Sequence, residues 1–200
     1  MRTLIAVGID TKEVDLIFSR LEEKGSRDQA LKKALNLTAR QARERLTQKA
    51  QETYAVKKTS FRKEIKIRSA TTNRMSASLL ASGRAKEMLD FKVSPATVQK
   101  GNKRPKITKG KVLKRSPMKK LQMGELKAFV VRFSNGHKAV AQRRSKQRYP
   151  IKNLLSPSVP VMLGNARRVY GIVEPYIQDD LERNLEHFVS MALEGKNDSK

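Results

Sequence analysis

Residues 148–165 read RYPIKNLLSPSVPVMLGN, three prolines and a glycine set among large apolar side chains directly after a long lysine-rich region. Prolines at 150, 157 and 160 preset the backbone toward extended or turn geometry, so a stiff connector is expected here rather than a regular element. Ile151, Leu154, Leu155, Val159, Val161, Met162 and Leu163 give it more apolar surface than the loop of a lone monomer normally carries. Two uses are open to it: packing as core between a sheet and a helix, or docking on a neighbouring subunit.

Downstream, Val169, Ile172, Val173, Ile177, Leu181, Leu185, Phe188, Val189 and Ala192 recur at helical spacing, which predicts a long closing helix. Pro175 is expected to kink that helix or to mark its true start. The last residues, GKNDSK, are polar and expected to fray. Upstream, KAFVVRFS and HKAVAQRR flank Asn135-Gly136, a strong signal for a tight hairpin. The run TVQKGNKRPKITKGKVLKRSPMKK, residues 97–120, is poor in apolar residues and dense in Lys, Arg, Gly and Pro, so it reads as a mobile loop or arm.

Further back, IKIRSAT, SASLLASG and MLDFKVSP read as strands broken at Gly83 and Pro95, with a short helix around SFRKEI before them. From Arg27 to about Tyr54 a second long helix carries Leu31, Ala34, Leu35, Thr38, Ala42, Leu46 and Ala50 on one stripe. Its alanine-rich stripe suits close approach to another element, and Lys32, Lys33, Arg40, Arg43 and Lys49 form a basic face. Gly25-Ser26 is expected to break the chain ahead of it and to supply a cap. At the N-terminus TLIAVGID reads as a strand, and Val14, Ile17, Phe18 and Leu21 as a helix stripe. The expected class is α+β: a small antiparallel sheet packed against a long basic N-terminal helix and a long acidic C-terminal helix, with a basic extended arm. Residues 1–26 form an extension, 27–194 the main domain including the arm at 99–120, and 195–200 a tail.

The 200 residues suffice for one domain with a real core. A formal net charge of +25 exceeds what solubility asks for and points to a polyanionic neighbour: nucleic acid, an acidic membrane or an acidic protein surface. The charge is segregated. Between Gln99 and Lys152 the only acid is Glu125, whereas Glu174, Asp179, Asp180, Glu182, Glu186 and Glu194 crowd the closing helix against a single Arg183. With no cysteine, disulfides, thiolate catalysis and Cys-bound metals are excluded. No apolar run is long enough to cross a bilayer and MRTLIAVGID lacks a signal peptide's features, so a soluble chain made in the cytoplasm is expected.

Residue patterns for chemistry are missing from the sequence. His137 and His187 stand apart from any metal-ligand spacing, and both are expected to be ordinary surface or interface residues. Asp179-Asp180 is read as solvated helix surface, because adjacent residues point to different helix faces. Gly101, Gly110 and Gly124 do not make a phosphate-binding loop, and Ser156-Pro157-Ser158 is no nucleophile elbow. No catalytic residue, cofactor or metal is therefore assigned. The basic arm fits nonspecific nucleic-acid contact or a protein-facing surface; it contains no aromatic residue to stack on bases.

The order of features resembles the minor tail protein Z family of tailed bacteriophages and prophages. The residues that carry the likeness are ALNLTARQARERLTQKAQETYAVKKTSFRKEIKI, ASGRAKEMLDFKVSP, RRSKQRYPIKNLLSPSVPVMLGN and EPYIQDDLERNLEHFV, spanning most of the chain from about Gln29 to Phe188. The resemblance implies a noncatalytic virion protein that completes the tail and joins it to the head, as part of a homo-oligomeric, hexameric ring at the neck beside other tail and neck proteins. It supplies no catalytic residues. A ring needs a heterologous contact, for which Ile151, Leu154, Leu155, Val159, Val161 and Met162 are the interface candidates. Lys103, Arg104, Lys106, Lys109, Lys111, Lys114, Arg115, Lys119 and Lys120 are the candidates for contact with an acidic partner or with DNA threaded through the neck. The rival expectation is a cytoplasmic, nonspecific nucleic-acid-binding protein.

Overall fold

Helix α1, Lys24–Thr53, is 30 residues long, about 45 Å, and is the element on which the rest is laid. The computed structural model describes residues 2–7, 24–56, 60–99, 101 and 106–194. The expected helix around Val14 to Leu21, the cations Lys103 and Arg104, and the tail at 195–200 lie outside them. Of the expected stripe, Ala34, Leu35, Thr38, Ala42, Leu46 and Ala50 are fully buried along α1 and Leu31 is half-buried, while Ala39, outside that stripe, is fully buried as well. Gly25 and Ser26 do not precede the helix; they sit in its first turn. The first N–H groups of a helix have no intrahelical partner in any case, so weak helix formers are tolerated there.

One face of α1 meets a three-stranded antiparallel sheet of β1 (Arg2–Val7), β2 (Ile65–Arg68) and β3 (Ala77–Ser82), ordered β1-β3-β2. In β3 the buried Ala77, Leu79 and Ala81 alternate with half-buried neighbours, the period-2 signature of a sheet with one covered face. Short helix α2, Ser60–Glu64, leads into β2 and buries Phe61. A two-stranded ribbon pairs β4 (Lys86–Glu87) with β12 (Leu155–Ser156), and a single 3-10 turn follows β4 at Met88–Asp90.

The segment expected to be a mobile arm is largely folded. Strands β5 (Lys92–Ser94), β6 (Lys109–Lys111) and β7 (Lys119–Lys120) form an antiparallel sheet in that order. Backbone bonds tie the segment to the end of α1: Ala55 N–H donates to Val112 O at 2.7 Å and Lys114 N–H to Thr53 O at 2.9 Å. Its apolar content is low because Thr108 and Gly110 fill the buried positions. A Cβ on Gly110 would lie 2.6 Å from Met88 Cε and 3.0 Å from Leu121 Cδ1, both ends of flexible side chains.

Strands β8 (Gln122–Met123), β9 (Leu126–Arg132), β10 (Lys138–Arg143) and β11 (Ile151–Asn153) make a four-stranded sheet ordered β11-β10-β9-β8. Ala139, Val140, Ala141 and Gln142 of β10 are all buried, and Gln142 Nε2 donates to Leu126 O at 2.6 Å. The β9–β10 hairpin is closed by Gly136 N–H to Phe133 O (3.0 Å) and Phe133 N–H to His137 O (2.8 Å). Within this turn only Gly136 has positive φ, +81°, so it is the longer type in which a left-handed residue follows the two central residues of a β-turn, not a two-residue Asn-Gly turn.

The stretch 148–165 is more regular than its prolines suggest, holding β11, β12 and helix α3, Val159–Leu163. Its prolines fall where no ladder or helical N–H is needed: Pro150 before β11, Pro157 between β12 and α3, Pro160 in the first turn of α3. Helix α4, Tyr170–Leu193, then runs along α1 and contains Pro175 rather than starting at it. Val173, Ile177, Leu181, Leu185 and Val189 form its buried stripe. The architecture is α+β, with both long helices and the small antiparallel sheets in place.

Candidate functional site

Alternation along the connector sends its apolar side chains both ways. Val159 and Met162 are 0 % exposed and belong to the chain's own core, with Pro160 and Leu163 beside them. Both side chains are directed into this core and away from the surface of the chain. Ile151 and Leu154 are half-buried; Leu154 N–H donates to Val140 O at 2.8 Å and its carbonyl accepts from Met88 N–H at 3.1 Å. Leu155 and Val161, by contrast, are 61 % and 41 % exposed. Val161 opens onto a hollow of about 780 Å³ that it shares with Pro160, Asn165, Arg167 and Arg168.

The cations assigned to the arm are spread over β6, β7 and the loops around them. Lys106, Lys109, Lys114, Arg115, Lys119 and Lys120 are exposed, and Lys111 is half-buried with Nζ donating to Lys114 O at 2.6 Å. Strand register sorts them. Lys92 lies opposite Lys111 and Lys109 opposite Lys120, and directly opposed residues share a face of the sheet. Lys92, Lys109, Lys111 and Lys120 therefore form one lysine face. Opposed like charges destabilise a sheet, and an anionic surface laid on it relieves that repulsion. Lys92 was not among the cations singled out from the sequence, since nothing short of the register connects it to a lysine seventeen or more positions away.

The closing helix is acidic outside and paired inside. Glu174, Asp179, Glu182, Glu186 and Glu194 are exposed. Asp180 is not the solvated surface residue expected: it is 4 % exposed and accepts from Arg45 Nε (2.5 Å) and Nη2 (2.8 Å) on α1, and from Arg183 one turn along. Adjacent helical residues do diverge, but one of this pair faces α1. The hydrogen bond from Arg45 to Asp180 raises the guanidinium above its ordinary pKa, against a smaller opposing effect of burial. Asn184 continues the contact, its Nδ2 donating to Thr38 Oγ1 (2.9 Å) and Gln41 Oε1 (2.7 Å).

His137, at the hairpin tip, places Nε2 2.8 Å from Glu87 Oε1 at the surface, and His187 packs edge-on against Phe188. The Ser156 hydroxyl donates to Met88 Sδ at 3.2 Å. Gly101 and Gly124 occupy left-handed turns, both at φ +57°. Among the described residues no group of three or more His, Asp or Glu side chains is placed to hold a metal, and no helix is long and apolar enough to cross a membrane.

A family model described as prophage minor tail protein Z (GPZ) matches residues 18–194. No curated protein and no solved structure matches the chain.

Proposed function

The chain belongs to the prophage minor tail protein Z family, a structural component of the phage tail that works among other tail proteins, and from this premise we propose that it completes the tail and joins it to the head as one subunit of a hexameric ring at the neck. It acts there without catalysis, after synthesis in the host cytoplasm. The observation that carries this reading is the outward placement of Leu155 and Val161 on elements whose other side chains are buried. In a ring each subunit presents one surface to a different surface of the next, so the contact needs two unlike patches. Val161 with Arg167 and Arg168 makes one patch, apolar at the centre and cationic at the rim. The exposed carboxylates of α4 make the other, and the opposed charges fix orientation and speed the encounter. Lys92, Lys109, Lys111 and Lys120 face the DNA that passes through the neck, where contact with phosphates is sequence-independent and weakens with salt. Replacing Leu155 and Val161 together by Asp tests the interface: the variant protein should stay folded in solution and be missing from purified particles. Normal incorporation of that variant would sink the assignment.

A further inference from the structure

Among the described residues, strand β9 is paired on its outer side only at its start. Gln122 and Met123 of β8 lie opposite Lys127 and Leu126, and no described strand continues the ladder toward Arg132. Two bonds fix which backbone groups face that opening. Phe133 N–H points to His137 across the hairpin and Ala128 N–H points outward to Leu121 O, so with the alternation of an antiparallel ladder Val130 and Arg132 also turn their N–H and C=O groups outward. Beside them lies a groove of about 440 Å³, whose apolar lining includes Phe129 and Val131 of β9 with Pro95, Val98 and Ile151. Among the described residues its charged lining is cationic: Lys106, Lys127, Arg132, Arg143 and Arg148. The Arg143 guanidinium sits 6.0 Å from the Phe129 ring.

We propose that this groove receives an extended acidic segment of another tail protein, which adds as a strand along the open edge of β9. Alternating backbone donors and acceptors recognise a peptide backbone, and the apolar lining takes every second side chain while the cations take carboxylates. A nucleic acid would use the cations but leave Val130 and Arg132 backbone groups unmatched. Among the described residues the clustered exposed acids lie on helix α4, which cannot add as a strand, so the segment is taken to come from another protein. The proposal rests on the tail reading only for the source of the segment.

The test is an array of peptides about ten residues long, the upper end of ordinary strand length, tiled across the other structural proteins of the particle and probed with the full chain. Acidic peptides with alternating apolar residues should bind, with amide exchange at Val130 and Arg132 slowed. Arg143→Glu with Arg148→Glu, both exposed, should weaken binding at least tenfold, about 1.4 kcal/mol, and Val130→Pro should do the same by deleting an edge N–H. Equal binding of neutral or basic peptides, a preference for an oligonucleotide competitor, or unchanged exchange at Val130 and Arg132 would overturn it. Those results with the protein present in particles condemn the groove alone, whereas absence from particles condemns the tail reading.

Discussion

Arg45 on α1 and Asp180 on α4 are joined by two hydrogen bonds, Nε to Oδ2 at 2.5 Å and Nη2 to Oδ1 at 2.8 Å, with the carboxylate 4 % exposed and the guanidinium 40 % exposed. A planar guanidinium fork matches a carboxylate in this way and fixes both the rotation and the translation of one helix on the other. Alanine and leucine contacts alone hold the helices together but tolerate sliding.

Removing one partner leaves the other group desolvated, and the buried side is the costlier one to strand. Arg45→Ala is expected to destabilise the fold by about 3 kcal/mol, because Asp180 is then buried with only Arg183 beside it. Asp180→Ala should cost less, since Arg45 can reach water. Paired replacement by Met and Leu should recover most of the loss in a double-mutant cycle followed by urea denaturation.

Gly171 sits inside helix α4, where alanine would normally gain about 1 kcal/mol. A Cβ at this position collides with the Ala166 carbonyl oxygen, a backbone atom that cannot swing away. Gly171→Ala should therefore destabilise by about 1–3 kcal/mol, the usual cost of overpacking, read as a lower urea midpoint at constant slope.

Tyr54 is buried at the end of α1, and burial raises its pKa above the ordinary 10.0, with Arg168 opposing the shift. A folded pKa above the unfolded one gives stability that is complete below about pH 10 and lost as pH rises through the folded value. Denaturation from pH 8 upward should show this alkaline loss, and Tyr54→Phe should make the loss shallower.

The lysine face predicts opposite signs for stability and binding. Lys120→Glu places an opposite charge across from Lys109 and should stabilise the chain by a few tenths of a kcal/mol. The same change should weaken duplex DNA binding and flatten its salt dependence by about one phosphate contact. Thermal melts and a salt titration of binding check the pair.

The long helices were legible because each carries its own period: Ala34 to Ala50 on α1 and Val173 to Val189 on α4 announce their buried faces without reference to anything else. The 106–120 segment was not, because what orders it is backbone bonding to Thr53 and Ala55, more than fifty residues away. Asp180 looked like its neighbour Asp179 until α1 supplied Arg45. Along the connector the sequence shows apolar residues but not which of them point inward, so Val159 and Met162 looked the same as Leu155 and Val161.

The central claim is that this chain is a stoichiometric subunit of the finished particle. Quantitative mass spectrometry of gradient-purified particles, scaled to the portal and major tail proteins, measures it directly. A fixed low copy number, about six for one closed cyclic ring, is the predicted result. Absence from clean particles, or a copy number that varies between preparations, would contradict the account.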